Sequence, residues 1–183
     1  MSRYVALLRG INVGGKNLIK MAALKTCFEA QGFRDVVTYI QSGNVLFTAG
    51  DPGSEKLARR IEGALVKTFK CAASVILRSR RQLQEIVRRA PPGFGGQPAQ
   101  YRYDVIYLNA PLSAALALKA VPSNPDVDQV RAGPGVLYFS RLISKASQSR
   151  ISKVVSLPIY QSMTIRNWNT TTALLRLMEP PPS

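Results

Sequence analysis

Tyr4-Val5-Ala6-Leu7-Leu8-Arg9-Gly10-Ile11-Asn12-Val13-Gly14-Gly15-Lys16-Asn17 passes from an apolar run through a glycine-rich loop toward a helical pattern, and the fold follows from how it is read. Tyr4–Leu8 predicts a strand. The glycines let the backbone turn sharply and present bare N–H groups. Met21, Leu24 and Phe28 then fall at helical spacing, and Gly32 stops the helix. Val36–Gln41 and Val45–Thr48 read as strands on either side of the tight turn Ser42-Gly43-Asn44. Leu57, Ile61, Leu65 and Phe69 recur every four residues, which predicts an amphipathic helix from about Ser54 to Phe69. Ser74–Leu77 closes the unit as a strand, so the order is βαββαβ.

The pattern then repeats. Gln82–Arg89 predicts a connecting helix, and Pro91-Pro92-Gly93-Phe94-Gly95-Gly96-Gln97-Pro98 suits neither helix nor strand. Beyond it come a strand at Tyr103–Asn109, a helix at Pro111–Lys119 and a strand near Val127–Arg131. A Gly133-Pro134-Gly135 turn leads to a strand at Val136–Ser140, a helix is marked by Ile151, Val154 and Val155, and Met163–Arg166 is the last strand. The expected fold is α+β: two consecutive ferredoxin-like (α/β-plait) halves with mainly antiparallel sheets. The first half spans 1–79, a connecting helix and Pro/Gly linker span 80–100, and the second half spans 101–183. A C-terminal helix, Thr170–Met178, takes Asn167 or Asn169 as its cap. With strand order 4-1-3-2, the end of the first strand lies beside the start of the third. The glycine loop and the Ser42–Asn44 turn are therefore expected on one edge.

Composition narrows the chemistry. The 183 residues carry 25 − 10 = +15 net charge. It divides as 12 − 5 = +7 up to Ser79 and 13 − 5 = +8 after it, so it is spread rather than held in a tail. Such a field favours polyanions and anionic metabolites, although a basic soluble surface has the same composition. Histidine is absent, which removes the commonest general base near neutral pH and the commonest metal ligand. Cys27 and Cys71 lie too far apart for a metal-ligand motif and read as buried reduced thiols. No metal or cofactor is expected. No apolar run approaches the roughly 20 residues needed to span a bilayer, so the expectation is a cytoplasmic protein without membrane association.

Gly10 to Lys16 matches the phosphate-loop spacing G-x-x-x-x-G-K, but Asn17 stands where that motif needs a magnesium-binding hydroxyl. An antiparallel sheet also lacks the motif's strand-end Asp after a parallel crossover. The reading is an anion-binding loop built from Arg9, Gly10, Asn12, Gly14, Gly15, Lys16 and Asn17, with Gln41, Ser42 and Asn44 as uncharged donors at the neighbouring turn. A second cluster, Arg166-Asn167-Trp168-Asn169-Thr170-Thr171, joins a cation, the single tryptophan and several amides at a strand-to-helix junction. Its bland reading is a capped helix with Trp168 in the core, which leaves Arg166 unexplained. Tyr4, Phe47, Tyr107, Tyr138 and Phe139 invite comparison with a base-stacking sheet, yet the aromatic signature of RNA-recognition modules is missing and packing explains them better.

Leu7–Asn17, Thr38–Val45 and Arg166–Thr170 resemble a bacterial family known only as domain of unknown function family 1697. The resemblance runs from near Tyr4 to Leu177 and implies two consecutive plait halves. It implies no activity, cofactor or catalytic residue. Ser140–Arg150 replaces a more glycine-rich stretch in the family pattern. The expected function is binding of a phosphate-bearing or other anionic ligand, nucleic acid among the candidates. The alternatives are a small enzyme acting on an anionic or nucleotide substrate through Lys16 or Lys20, and an interaction module with no ligand.

Overall fold

The apolar run at the start of the chain becomes β1 (Ser2–Arg9), the first strand of a βαββαβ unit completed by α1 (Met21–Glu29), β2 (Arg34–Tyr39), β3 (Asn44–Ala49), α2 (Ser54–Phe69) and β4 (Ser74–Ser79). The computed structural model describes residues 1–12, 18–41, 43–50 and 53–179. Two units divide them: Met1–Leu83 with the chain from Leu174 onward, and Gln84–Ala173.

In the first unit the strands lie in the order β2-β3-β1-β4, antiparallel throughout. This is the expected 4-1-3-2 arrangement. Leu24, Cys27 and Phe28 of α1 and Leu57, Ile61 and Leu65 of α2 are buried together with Ala6, Leu8, Val45, Phe47, Val75 and Leu77 of the strands. Each fully buried large apolar side chain contributes roughly 1.5–3 kcal/mol. Phe47 sits at the centre of an aromatic group, 4.6 Å from Phe33, 5.5 Å from Phe28 and 5.8 Å from Tyr4 between ring centroids. Tyr4 and Phe47 are thus packing residues, as read. On the outer strand β2 the pairing register shifts between Arg34 and Val37, and Asp35 takes a left-handed backbone (φ 51°). Arg3 Nη1 donates to the Asp35 carbonyl at 2.6 Å and steadies this bulge.

After α3 (Arg80–Arg88), the second unit contains β5 (Tyr101–Leu108), α4 (Ala114–Ala120), β6 (Asp128–Gly133), β7 (Val136–Leu142) and β8 (Met163–Asn167), and α5 (Trp168–Leu177) starts in it, its residues from Leu174 onward belonging to the first. Its sheet order, β6-β7-β5-β8, repeats that of the first. Ile106, Leu108, Leu137, Phe139 and Met163 form one buried face with Ala117 of α4. α4 starts at Ala114, later than the expected Pro111, because the Ser113 hydroxyl accepts from Leu116 N and sets the cap there.

The helix expected at Ile151–Val155 is instead a chain of 3-10 turns, Ile143–Gln148, Ile151–Ser156 and Pro158–Ser162. β-branched residues, flanking serines and Pro158 all oppose a longer α-helix. Ile151 and Val154 still enter the core, whereas Val155 is exposed. Asp128 pins this stretch: its Oδ2 accepts from Arg150 N and Asn124 N, both at 2.9 Å. α5 begins at Trp168, two residues before the expected start, and Asn167 rather than Asn169 caps it by accepting from Thr170 N at 2.7 Å.

Pro91–Pro98 contains no helix or strand, as read, but it caps the second sheet rather than hanging as a bare linker. Phe94 N donates to Pro91 O and Gly96 N to Gly93 O, closing two turns. The Phe94 ring then meets Tyr103, Trp168 and Tyr138 edge-on at centroid distances of 4.9, 5.1 and 5.4 Å. Among the described residues no helix is long and apolar enough to cross a membrane.

Candidate functional site

Of the anion-site residues read from the sequence, Gly14, Gly15, Lys16, Asn17 and Ser42 lie outside the described residues. Gly10 (φ 91°) and Asn12 (φ 53°) turn the chain out of β1. Asn12 Nδ2 donates to Ile19 O at 3.1 Å and to Gln41 O at 3.0 Å, while its Oδ1 accepts from Ile19 N at 2.7 Å. One side chain therefore ties both loop ends to the β2–β3 turn. Leu8 N donates to Gly43 O at 2.8 Å, and a Cβ on Gly43 would stand 2.8 Å from Ile11 Cδ1. The loop and the turn share one edge.

The amides, however, serve the fold. Asn12 spends both ends of its amide on backbone, and Asn44 is fully buried with Nδ2 donating to Tyr39 O at 3.0 Å. In this structure the Asn44 amide braces the turn from within the core. Gln41 gives its carbonyl to Asn12. Exposed Lys20 and half-buried Arg9 retain the positive charge at this edge.

Arg166 is likewise a strut. Period-two alternation places it on the same sheet face as Thr164, and it is only 8% exposed, with Nη1 donating to Thr164 Oγ1 at 2.9 Å and to Ile165 O at 2.8 Å. Burial brings its guanidinium down to about 10, against the opposing pull of Tyr107 and Tyr160.

Asn167, Trp168 and Asn169 of the same motif line a cleft of about 400 Å³ within the second unit. Its geometry comes from a mismatch in strand length. β7 pairs with β5 from Tyr101 onward, whereas β8 pairs with it only from Asp104, opposite Asn167. Beyond that point the chain turns into α5, leaving Tyr101, Arg102 and Tyr103 along an open edge. Arg102 and Asp104 share a face with Arg141 and Asn167, and all four residues border the cleft.

Arg141 Nη2 approaches Asp104 Oδ2 to 3.7 Å, an ion-pair distance too long for a hydrogen bond. Arg141 Nε and Asp104 Oδ2 are both buried without a hydrogen-bond partner. Desolvation pushes the Asp104 carboxyl above its ordinary range, opposed by Arg141 and Arg102. The wall thus holds an unused donor and an unused acceptor, with net positive charge.

Tyr101 and Tyr103 form a ridge between this cleft and a second cavity of about 250 Å³, bordered by Phe94, Gln97, Arg131 and Ser140 among others. The ridge is held from beneath: Gln97 N donates to Tyr103 Oη at 3.2 Å and Tyr101 N donates to Gln97 O at 2.9 Å. Gly95 (φ 86°) lies against Trp168 so closely that a Cβ would overlap the indole Nε1. Sequence reasoning passed over Tyr101, Arg102, Arg131 and Arg141. The alternation Tyr101-Arg102-Tyr103-Asp104 was the available signal, since two rings on one face and two charges on the other mark a strand open on both sides. Among the described residues no group of three or more Cys, Asp or Glu side chains is placed to hold a metal ion.

Two consecutive antiparallel βαββαβ halves and a C-terminal helix define the protein as an α+β double plait. The chain belongs to the family described as protein of unknown function (DUF1697), which matches residues 1–138. Its fold is similar to that of a conserved bacterial protein from Streptococcus pneumoniae, with a TM-score of 0.84 at 23% identity over 97% of this chain and 99% of the other. No curated protein matches it.

Proposed function

We propose that this protein binds a phosphate-bearing ligand. The observation that carries the reading is the pair formed by part-exposed Arg141 and exposed Arg102, side by side on one sheet face in the wall of a single cleft. Two guanidinium groups on one face can hold an anion oxygen between them through charge-assisted bonds. Asp104 offsets one of the two arginines, so the local field stays positive, within a chain of net charge +15. Asn167 and Asn169 add amides at the rim.

The glycine loop is a second place for the same chemistry. The Asn12 clamp holds its two ends together beside Arg9 and Lys20, and Lys16 lies within it in sequence. A thermal-shift panel of inorganic phosphate, pyrophosphate and nucleoside phosphates tests both places. Stabilisation of the wild type that is lost in Arg102→Ala assigns the cleft, and loss in Lys16→Ala assigns the loop. No stabilisation by any phosphate refutes the reading.

A further inference from the structure

The two cavities of the second unit meet along the ridge of Tyr101 and Tyr103, which borders both. We infer that this ridge is a stacking platform for single-stranded nucleic acid, with bases against the Tyr101 and Tyr103 rings and the phosphate backbone following Arg102 on one side and Arg131 on the other. The inference rests on the phosphate-binding reading above and names its ligand class.

The groove argues for a polymer. One cavity of about 250 Å³ and another of about 400 Å³ lie on either side of the same two rings, so a single mononucleotide leaves one of them empty. A chain crossing the ridge uses both. The two rings belong to residues two apart on one strand and therefore share a sheet face, at a centroid distance of 6.1 Å.

Tyr103 is also pre-organised. Gln97 N fixes the Tyr103 hydroxyl, and Phe94 packs edge-on against the Tyr103 ring, so ordering that half of the platform costs little upon binding. Arg102 and Arg131 are exposed, as neutralising phosphates requires. Aromatic faces accept any base, so broad sequence tolerance is expected. An acidic peptide would meet the arginines equally well but leave the tyrosine faces without a planar partner.

The test uses the full chain and fluorescence anisotropy with labelled oligo(dT) and oligo(U), alongside inorganic polyphosphate as an anionic polymer without bases. Tyr101 is the residue to change, since Tyr103 also holds the capping loop. Tyr101→Ala is expected to weaken oligonucleotide binding by roughly 5- to 100-fold, Tyr101→Leu to weaken it similarly, and Tyr101→Phe to retain it. Tyr101→Leu keeps apolar bulk, which separates lost stacking from lost folding. Polyphosphate binding should be weaker and indifferent to all three changes.

Unchanged oligonucleotide affinity in Tyr101→Leu and Tyr101→Ala overturns the inference, as does polyphosphate binding as tight as oligo(dT). If phosphates still stabilise the protein in an Arg102-dependent way under those outcomes, the anion reading survives alone. If neither phosphates nor oligonucleotides bind, both readings fall.

Discussion

Tyr138 donates its hydroxyl to the carbonyl of Ile86 at 2.6 Å, joining β7 to α3 across 52 residues of sequence. Both residues are buried, so the bond is made away from competing water. Tyr138→Phe is expected to cost about 1 kcal/mol, the usual net worth of a neutral hydrogen bond plus part of the penalty for a bared carbonyl. Chemical denaturation measures it.

The burial of the same hydroxyl carries a pH dependence. Burial pushes the Tyr138 phenol up to about 12, from an ordinary value of 10.0. The folded protein therefore holds its proton where the unfolded chain loses it. That contribution is complete below pH 10.0 and is lost as pH rises toward about 12. Denaturation midpoints followed across this window should fall more steeply for wild type than for Tyr138→Phe, and parallel curves would sink the assignment.

Gly95 and Gly32 separate crowding from backbone strain. Both have positive φ, 86° and 77°, but a Cβ on Gly95 would overlap the Trp168 indole whereas one on Gly32 meets nothing within 4 Å. Gly32→Ala is expected to cost roughly 1–2 kcal/mol, from left-handed backbone alone. Gly95→Ala adds roughly 1–3 kcal/mol of overpacking and displaces the only tryptophan. A changed fluorescence emission maximum in Gly95→Ala, with none in Gly32→Ala, is the expected signature.

Arg166→Ala should destabilise the protein by roughly 2–4 kcal/mol through lost charge-assisted bonds to Thr164 and Ile165 and a vacated volume. Its effect on phosphate response should be small once both proteins are compared below their unfolding transitions. A fully folded Arg166→Ala that has lost phosphate binding would return Arg166 to the site.

Asn12→Asp distinguishes a clamp from a ligand donor. Aspartate keeps the acceptor for Ile19 N but sets a carboxylate against the carbonyls of Ile19 and Gln41, which Asn12 Nδ2 now serves. A loss of roughly 1–3 kcal/mol is expected, with faster hydrogen exchange at the Ile19 amide. Unaltered exchange would refute the clamp.

What could be read from the chain depended on whether a residue's role was local. Leu57, Ile61, Leu65 and Phe69 declare α2 because helical periodicity is a short-range property. Ile151, Val154 and Val155 suggested another helix, but 3-10 turns bury residues three apart as well, and Pro158 decided between them. Arg166 looked like a site residue because charge on a strand attracts attention, and only the register with β5 shows that it points inward. The cleft was harder still. Gly95, Tyr101–Asp104, Arg141 and Asn167–Asn169 come from four separate stretches, and what unites them is that β8 ends its pairing before β5 begins.

The bulge between Arg34 and Val37 has its own bearing on how the chain behaves among other copies of itself. An outer strand with a regular row of amides invites further strands to add on, which is the first step of cross-β growth. On β2 that row is broken: Asp35 turns left-handed, Arg3 occupies its carbonyl, and charged Arg34 and Asp35 stand exposed at the break. An approaching strand can find a matching ladder for only the few residues after Val37, too short a template to extend. The irregularity that shapes the sheet locally also guards this edge against aggregation.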